Sequence, residues 1–178
     1  MSSITLADLE YISRETLAQK FSSSSNPSSS NNNGAETTLP SDTAVVDVRD
    51  SDHIGGHIRG STWVPSSTLD FKTPELVREL KGKKVVVFHC ALSQQRGPSA
   101  ALRYLREKER LEGAAGVVSK GEVKEEGVGK GEVGEKIADG EKQRVYVLKG
   151  GFTEWQEKYG EDAKLTEGYQ KDIWEFGS

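Results

Sequence analysis

The 178-residue chain is the size of one domain, and its 24 Lys and Arg against 28 Asp and Glu give a net charge of −4. That mild acidity argues against nucleic acid or an anionic membrane as a partner. We expect neither a membrane helix nor a signal peptide, because no apolar run approaches roughly 20 residues and the first residues are not basic and apolar. The single cysteine, Cys90, excludes an internal disulfide and predicts a reducing compartment, the cytoplasm or nucleus.

The predicted secondary structure alternates between helices and strands. The first element is a helix over residues 6–21 with Thr5 as its N-cap, because apolar residues recur there at helical spacing. Thr73 and Pro74 are typical of the N-cap and first position of a second helix. Strands are predicted at 44–48, 61–64, 84–88 and 144–148, and the later helices at 73–80, 98–111 and 151–159. This alternation predicts an α/β fold with a mostly parallel sheet, in which functional residues follow the carboxyl ends of the strands.

Two polar segments interrupt this pattern and are predicted to be flexible insertions in a single domain spanning residues 1–178. The first covers 22–42, and Pro27 is its only residue before Gly34 that is neither Ser nor Asn. Such a composition cannot bury enough apolar surface to offset the entropy lost on ordering. The second covers 112–143 and is rich in Gly, Glu and Lys, which is typical of a charged loop.

The candidate catalytic and binding residues are concentrated where the strand KVVVF runs into a polar loop that a helix follows. That loop is His89-Cys90-Ala91-Leu92-Ser93-Gln94-Gln95-Arg96. A loop that closes onto a helix N-terminus can turn its backbone N–H groups into one concavity, which binds a tetrahedral oxyanion and stabilises a thiolate. We predict that Cys90 is the nucleophile and that the planar guanidinium of Arg96 holds two oxygens of the anion. The backbone from Ala91 to Arg96 is predicted to bind the remaining oxygens.

Flanking residues have supporting roles in this prediction. Gly97 permits a tight turn into the helix, and the Pro after it fits the first helical turn. His89 ends a buried strand, and two interpretations remain open: a hydrogen-bonded core histidine, or a support for the thiolate loop. The sequence identifies no general acid, because the loop side chains are neutral at pH 7. Asp50 and Asp52 follow a strand end and are the candidates.

The run HCALSQQRGPSAA resembles the active-site loop of the rhodanese-fold phosphatases related to the cell-division-cycle dual-specificity phosphatases. Their small fungal and plant members, some of which are arsenate reductases, are the most similar. Three further segments carry the resemblance: VVDVRDSDHIGGHIRGSTWVP, VYVLKGGFTEW and GYQKDIWEF. It implies a three-layer, rhodanese-like domain with a central, mostly parallel five-stranded sheet flanked by helices. Asp47 and Arg49 resemble the Asp-x-Arg pair of the first signature, which we interpret as a structural hydrogen-bonding or ion pair.

The resemblance implies a cysteine-dependent protein phosphatase that acts on phosphotyrosine or dual-specificity substrates through a phosphocysteine. Rhodanese sulfurtransferases have a six-residue loop and the phosphatase-like members a seven-residue loop, and Cys90 to Arg96 is seven residues. The alternative is an arsenate reductase that uses the same loop, with glutathione as reductant and glutaredoxin as a partner. A sulfurtransferase and an inactive rhodanese-like binding module are the minor alternatives.

We expect no cofactor for phosphate hydrolysis and no metal. His53 and His57 have a spacing that suits a metal site on a helix, but Gly55 and Gly56 lie between them and argue against a helix. No third soft ligand is evident. The expected partner is a phosphorylated protein or a small phosphate or arsenate oxyanion, rather than nucleic acid or a membrane.

Overall fold

Five short strands run parallel to one another through the centre of the protein. The computed structural model describes residues 4–22, 39–125 and 143–176. The main sheet contains β1 (Glu10–Ile12), β2 (Thr43–Asp47), β4 (Thr62–Trp63), β5 (Val85–His89) and β6 (Arg144–Leu148). Their spatial order is β1-β6-β5-β2-β4, and every neighbouring pair is parallel. A separate antiparallel pair is formed by β3 (His57–Ile58) and β7 (Thr166–Glu167).

Helices cover both faces of the main sheet. They are α1 (Arg14–Ser22), α2 (Leu69–Glu79), α3 (Arg96–Glu125), α4 (Gly151–Tyr159) and α5 (Lys171–Phe176), with 3-10 turns at Leu6–Asp8 and Ser66–Thr68. Residues of α2 and α3 share one core with Val86 and Phe88, whereas α1 and α4 share the opposite core with Val87. Successive strand residues point to opposite faces, so the apolar run of β5 supplies both cores. The predicted three-layer α/β fold with a five-stranded sheet is confirmed.

The predicted helix over residues 6–21 is wrong in its first half. Residues 6–8 form a 3-10 turn, residues 10–12 form β1, and α1 begins only at Arg14. Leu9 enters the core beneath α2 and α3, whereas Ile12 enters the opposite core, so the two do not share one helix face. The strand is favoured because it pairs with β6 and satisfies backbone groups at the edge of that strand.

The helix predicted to begin at Thr73 begins one turn earlier, at Leu69. Thr73 is therefore not its N-cap: the Thr73 hydroxyl donates to the carbonyl of Leu69 at 2.6 Å. Pro74 lies inside the helix and cannot supply an N–H to the carbonyl of Asp70, a solvent-exposed residue. Leu69 is buried in the core, so tertiary packing extends α2 ahead of the local sequence signal.

Both predicted insertions are shorter than expected where the structure describes them. Leu39 packs against a core cluster, so the end of the first segment belongs to the fold. α3 continues to Glu125, beyond the predicted end near residue 111, and Gln143 is buried. Residues 23–38 and 126–142 lie outside the described residues, and the flexibility of these segments remains a prediction. Within the described ranges, no helix combines the length and the apolar character needed to cross a membrane.

Candidate active site

Cys90 directly follows β5, at the edge where neighbouring parallel strands end. The last residue of β5, His89, lies opposite Asp47 of β2, and Asp47 lies opposite Trp63 of β4. Because these strands are parallel, their carboxyl ends meet at this edge. α3 begins at Arg96, so the cysteine and the arginine occupy the two ends of one strand–loop–helix connection.

The loop turns back so that a backbone N–H points at the sulfur of Cys90. The amide of Ser93 donates to Sγ of Cys90 at 3.1 Å, and the amide of Cys90 donates to Oγ of Ser93 at 3.4 Å. Ser93 adopts this turn with φ of 55°, in the left-handed region. The Cys90 residue is only 3% exposed. An N–H held this close stabilises negative charge on the sulfur, which a thiolate nucleophile requires.

The other loop residues form a rim around this turn. Ala91 is half-buried, whereas Leu92, Gln94 and Gln95 are exposed. α3 starts immediately after Gln95, and the first N–H groups of a helix make no intrahelical hydrogen bond. These groups and the positive end of the helix dipole favour an anion at the loop.

The start of α4 holds the loop from its opposite side. The N–H of Phe152 donates to the carbonyl of Cys90 at 3.0 Å, and the N–H of Thr153 donates to the carbonyl of Ala91 at 2.9 Å. Two loop carbonyls are therefore engaged by α4, so that their partial negative charges do not oppose an anion in the loop.

Gly97 and Pro98 both lie in the first turn of α3 and are buried. The φ of Gly97 is outside the left-handed region, so the start of the helix does not rest on a backbone conformation that favours glycine. Close packing accounts for the glycine: a Cβ atom there would lie 3.3 Å from Oγ of Ser93 and 3.4 Å from the backbone nitrogen of Cys90. Pro98 lies in the first helical turn, where the absence of its N–H is tolerated.

Two carboxylates from the turn after β2 hold the guanidinium of Arg96. Nη1 and Nη2 of Arg96 donate to Oδ1 and Oδ2 of Asp52 at 2.7 and 2.5 Å, and Nη1 lies 3.3 Å from Oδ2 of Asp50. Asp50 is also bound by the hydroxyl of Ser66 at 2.5 Å and the N–H of Ser67 at 3.0 Å. The sequence places both aspartates after a strand. It does not reveal that this strand adjoins the strand of the cysteine, and so the ion pair was not predicted.

These contacts keep both aspartates ionised at neutral pH. The hydrogen bonds from Arg96 lower the pKa of Asp52 to about 2, although partial burial acts in the opposite direction. The hydroxyl of Ser66 is the main cause that holds the pKa of Asp50 below its ordinary value. In this arrangement neither carboxyl group carries a proton that it could donate to a leaving group.

Asp47 and Arg49 form a fully buried ion pair beside the loop. Nε of Arg49 donates to both carboxylate oxygens at 3.0 Å, and Nη2 donates to Oδ2 at 2.6 Å. The guanidinium carbon lies 4.4 Å from the ring centroid of Phe152. Burial by itself would raise the pKa of Asp47, but the hydrogen bonds and the positive charge of Arg49 oppose it, and the pKa is lowered. The pair therefore carries charge and joins the turn after β2 to the base of α4.

His89 lies fully buried between this ion pair and the loop. Its Nδ1 is 3.1 Å from the carbonyl oxygen of Cys90, so a proton on Nδ1 fixes the peptide that follows Cys90. Its Nε2 is 3.8 Å from Oδ2 of Asp47, beyond hydrogen-bonding range, and has no partner among the described residues. Burial lowers the pKa of His89 and outweighs the opposite effect of Asp47, so the imidazole is favoured in its neutral form. The geometry combines the two interpretations from the sequence, because this core histidine also contacts the loop.

His53 and His57 stack on each other but face different carboxylates. Their ring centroids are 5.8 Å apart. Nε2 of His53 lies 3.5 Å from Oδ2 of Asp47, and Nε2 of His57 lies 3.9 Å from Oε1 of Glu167. In the part of the chain that the structure describes, no three His, Cys, Asp or Glu side chains are grouped to hold a metal ion.

Comparison with known proteins gives consistent matches. The family model of the rhodanese-like domain matches residues 32–158. The CDC25-like phosphatase YCH1 of Saccharomyces cerevisiae is 38% identical over 152 residues, which cover 79% of this chain and 84% of that protein. Arsenate reductase 2.2 of Oryza sativa subsp. japonica is 52% identical over 63 residues, which cover 35% of this chain and 48% of that protein.

A solved structure agrees with these matches. It is that of Ygr203w, described as a yeast protein tyrosine phosphatase of the rhodanese family. The TM-score is 0.60 at 32% identity, and the alignment covers 97% of this chain and 99% of that chain. The family model spans more than half of the chain, and the five-stranded parallel sheet agrees with it. The chain belongs to the rhodanese-like domain family, within which its relatives include CDC25-like phosphatases and arsenate reductases.

Proposed function

We propose that the protein is a cysteine-dependent phosphatase that hydrolyses phosphate monoesters through a phosphocysteine intermediate. The observation that carries the proposal is the Cys90 sulfur beneath the amide of Ser93, on a loop that ends in Arg96 at a helix N-terminus. The descriptions of similar yeast proteins as a CDC25-like phosphatase and as a protein tyrosine phosphatase support the same assignment.

In the first step the thiolate of Cys90 attacks the phosphorus atom. A sulfur–phosphorus bond forms, and the ester phosphorus–oxygen bond breaks with its electron pair leaving on the alcohol oxygen, which takes up a proton from solvent. The loop N–H groups and the guanidinium of Arg96 stabilise the charge on the equatorial oxygens. His89 and α4 position the loop through the carbonyl of Cys90.

In the second step water attacks the phosphocysteine. The sulfur–phosphorus bond breaks, its electron pair returns to the sulfur of Cys90, and inorganic phosphate is released. No electrons are exchanged with another molecule, so this reaction requires no redox cofactor.

The proposed substrate is a phosphorylated protein, with phosphotyrosine or dual specificity. Leu92, Gln94 and Gln95 are exposed around the loop, so that a side chain presented from another protein's surface can contact them. We propose the cytoplasm or nucleus as the compartment, because a thiolate nucleophile requires reducing conditions.

Arsenate reduction is a second candidate for the same pocket. Its specific support is the 52% identity to a rice arsenate reductase over 63 residues. In that reaction the Cys90 thiolate forms a sulfur–arsenic bond as arsenate loses water. Two external thiols, from glutathione and glutaredoxin, then supply the two electrons that reduce As(V) to As(III) and are themselves oxidised to a mixed disulfide. Water then hydrolyses the sulfur–arsenic bond, which releases arsenite and returns the electron pair to the sulfur of Cys90. The only cysteine of this chain is Cys90, which fits an external reductant. The seven-residue loop disfavours the sulfurtransferase alternative.

One preparation assayed against both substrates tests these candidates. An aryl phosphate measures hydrolysis, and arsenate with glutathione and glutaredoxin measures reduction, with Cys90→Ser as the control in both assays. Phosphate release that is lost in Cys90→Ser supports the phosphatase. Arsenite formation without phosphate release would replace it with the reductase, and inactivity in both assays would favour a binding module.

A further inference from the structure

We propose that Asp52 is a built-in competitor for Arg96, which an incoming oxyanion must displace before the arginine can hold it. This inference rests on the proposed function, because it assumes that Arg96 binds the oxyanion. It makes Asp52 a residue that sets the affinity for substrate, rather than a catalytic residue.

The carboxylate of Asp52 imitates the ligand expected at Arg96. Its two oxygens accept from Nη1 and Nη2 at 2.7 and 2.5 Å, which is the paired, fork-like geometry of a strong arginine–carboxylate contact. Phosphate and related oxyanions bind arginine through the same two parallel N–H bonds. The Nη1–Nη2 edge of the guanidinium cannot hold both ligands at once, so an oxyanion that binds to this edge competes with Asp52.

In the turn after β2, the carboxylate of Asp52 can give up its contact with Arg96, whereas the carboxylate of Asp50 is held in place by other groups. Asp50 keeps the Ser66 hydroxyl and the Ser67 N–H as partners whether or not Arg96 is near. The carboxylate of Asp52 is held by Arg96 and by the N–H of Asp50, at 2.8 Å. The turn therefore retains its anchor when Arg96 moves to another anion.

The exposure of the pair permits this exchange. The side chains of Arg96 and Asp52 are 33% and 40% exposed, so a dissolved anion can reach them. The other Asp–Arg pair at this sheet edge, Asp47 with Arg49, is completely buried on both sides and has no such access. A solvent-screened pair is weak enough to be replaced by an anion of higher charge.

Tungstate, a tetrahedral dianion, is a suitable probe because its binding by calorimetry does not depend on turnover. Asp52→Asn keeps the side-chain size and removes the competing charge. We expect the tungstate Kd to fall by about two- to fivefold, the effect of removing a partly exposed ion pair. Asp50→Asn removes the same charge from the same turn and should lower the Kd less than twofold. Asp70→Asn removes the exposed partner of Arg103, away from the loop, and should leave the Kd unchanged.

Turnover of an aryl phosphate gives a second measurement. Because Asp52→Asn removes a competitor, its KM should fall by a factor similar to the fall in tungstate Kd, and its kcat should stay unchanged. Asp52→Ser provides a second variant should Asp52→Asn not fold, and far-ultraviolet circular dichroism checks each variant.

Several results would overturn the inference. One is a tungstate Kd that is unchanged or higher in both Asp52 variants. Another is a Kd that falls equally in Asp50→Asn. A third is a fall in kcat of the Asp52 variants with KM unchanged, which would make Asp52 a catalytic acid. Tungstate binding that tightens as expected without any phosphate turnover would overturn the proposed function alone. Turnover with a tungstate Kd insensitive to Asp52 would overturn the competitor alone. Absence of both tungstate binding and phosphate turnover in every variant would overturn both.

Discussion

Gly151, at the start of α4, lies directly against the carbonyl oxygen of Ala91 in the cysteine loop. A Cβ atom at Gly151 would approach that oxygen to 2.4 Å and the carbonyl oxygen of Cys90 to 2.6 Å. The φ of Gly151 is also 60°, in the left-handed region. The second glycine of the KGGF segment is therefore required by backbone contact with the loop, and α4 and the cysteine loop are packed against each other.

We expect Gly151→Ala to destabilise the protein and to impair turnover. The left-handed φ alone corresponds to a loss of about 1–3 kcal/mol in the free energy of unfolding, and the clash with backbone atoms adds to it. Urea denaturation and an aryl phosphate assay measure the two effects. Gly82→Ala is the matched control, because nothing lies within 4 Å of a Cβ at Gly82. Equal behaviour of the two variants would show that α4 does not hold the loop.

Asp47→Ala should be among the most destabilising single substitutions. It leaves the guanidinium of Arg49 buried without a negatively charged partner, which typically costs about 3–5 kcal/mol of unfolding free energy. Asp70→Ala removes an exposed partner of Arg103 and should change it by less than about 1 kcal/mol. Denaturant midpoints of the two variants, compared at the same slope, measure the difference. A small effect of Asp47→Ala would mean that solvent reaches Arg49.

Cys90→Ser should abolish turnover while it preserves the fold and tungstate binding. A serine hydroxyl is not ionised near neutral pH, and the neighbouring His89 contacts the backbone of residue 90 rather than its side chain. Phosphate release and calorimetry measure these two properties separately. Near-normal turnover by a folded Cys90→Ser protein would rule out the covalent mechanism.

Arg96→Lys should impair turnover severely although it keeps the charge. An ammonium group cannot make two parallel N–H contacts to a tetrahedral anion. The loss should be on the order of the 2.7–4 kcal/mol seen when a preorganised oxyanion donor is removed. Arg103→Lys in the same helix is the control, since Arg103 pairs with Asp70 at the surface. Activity of Arg96→Lys within about threefold of the parent, less than 1 kcal/mol of barrier, would contradict the assignment.

The ion pair of Asp52 should also appear in the pH dependence of stability. Arg96 lowers the pKa of Asp52 from 3.8 to about 2 in the folded protein. The stabilisation by this ion pair is thus fully present when the pH is above the pKa of Asp52 in the unfolded state. It is lost as the pH falls through the pKa of Asp52 in the folded state. The free-energy difference between the parent and Asp52→Asn should be constant at pH 5–7 and shrink between about pH 4 and 2. Urea denaturation across this range measures it, and a difference that grows with acidity would contradict the assigned pairing.

Local features of the sequence were sufficient for the fold class and for the loop. The apolar run KVVVF needs burial on both faces, which a parallel sheet between helices provides. The cysteine, the arginine and the helix start that follows them are joined by one short connection, so their proximity is a property of the chain itself. The strand at 144–148 and the helix at 151–159 were also predicted correctly, because each has a clear local pattern of its own.

The features that depend on which segments become neighbours were decided only by the tertiary structure. Residues 10–12 lie in a segment whose apolar residues recur at helical spacing, yet they form a strand because the edge of β6 offers hydrogen bonds. Asp52 and Arg96 are far apart in sequence, and they meet because β2 lies beside β5 in the sheet. Sequence periodicity reports how a segment buries its own side chains. It carries no information about strand order, and strand order determines which charges lie beside the cysteine loop.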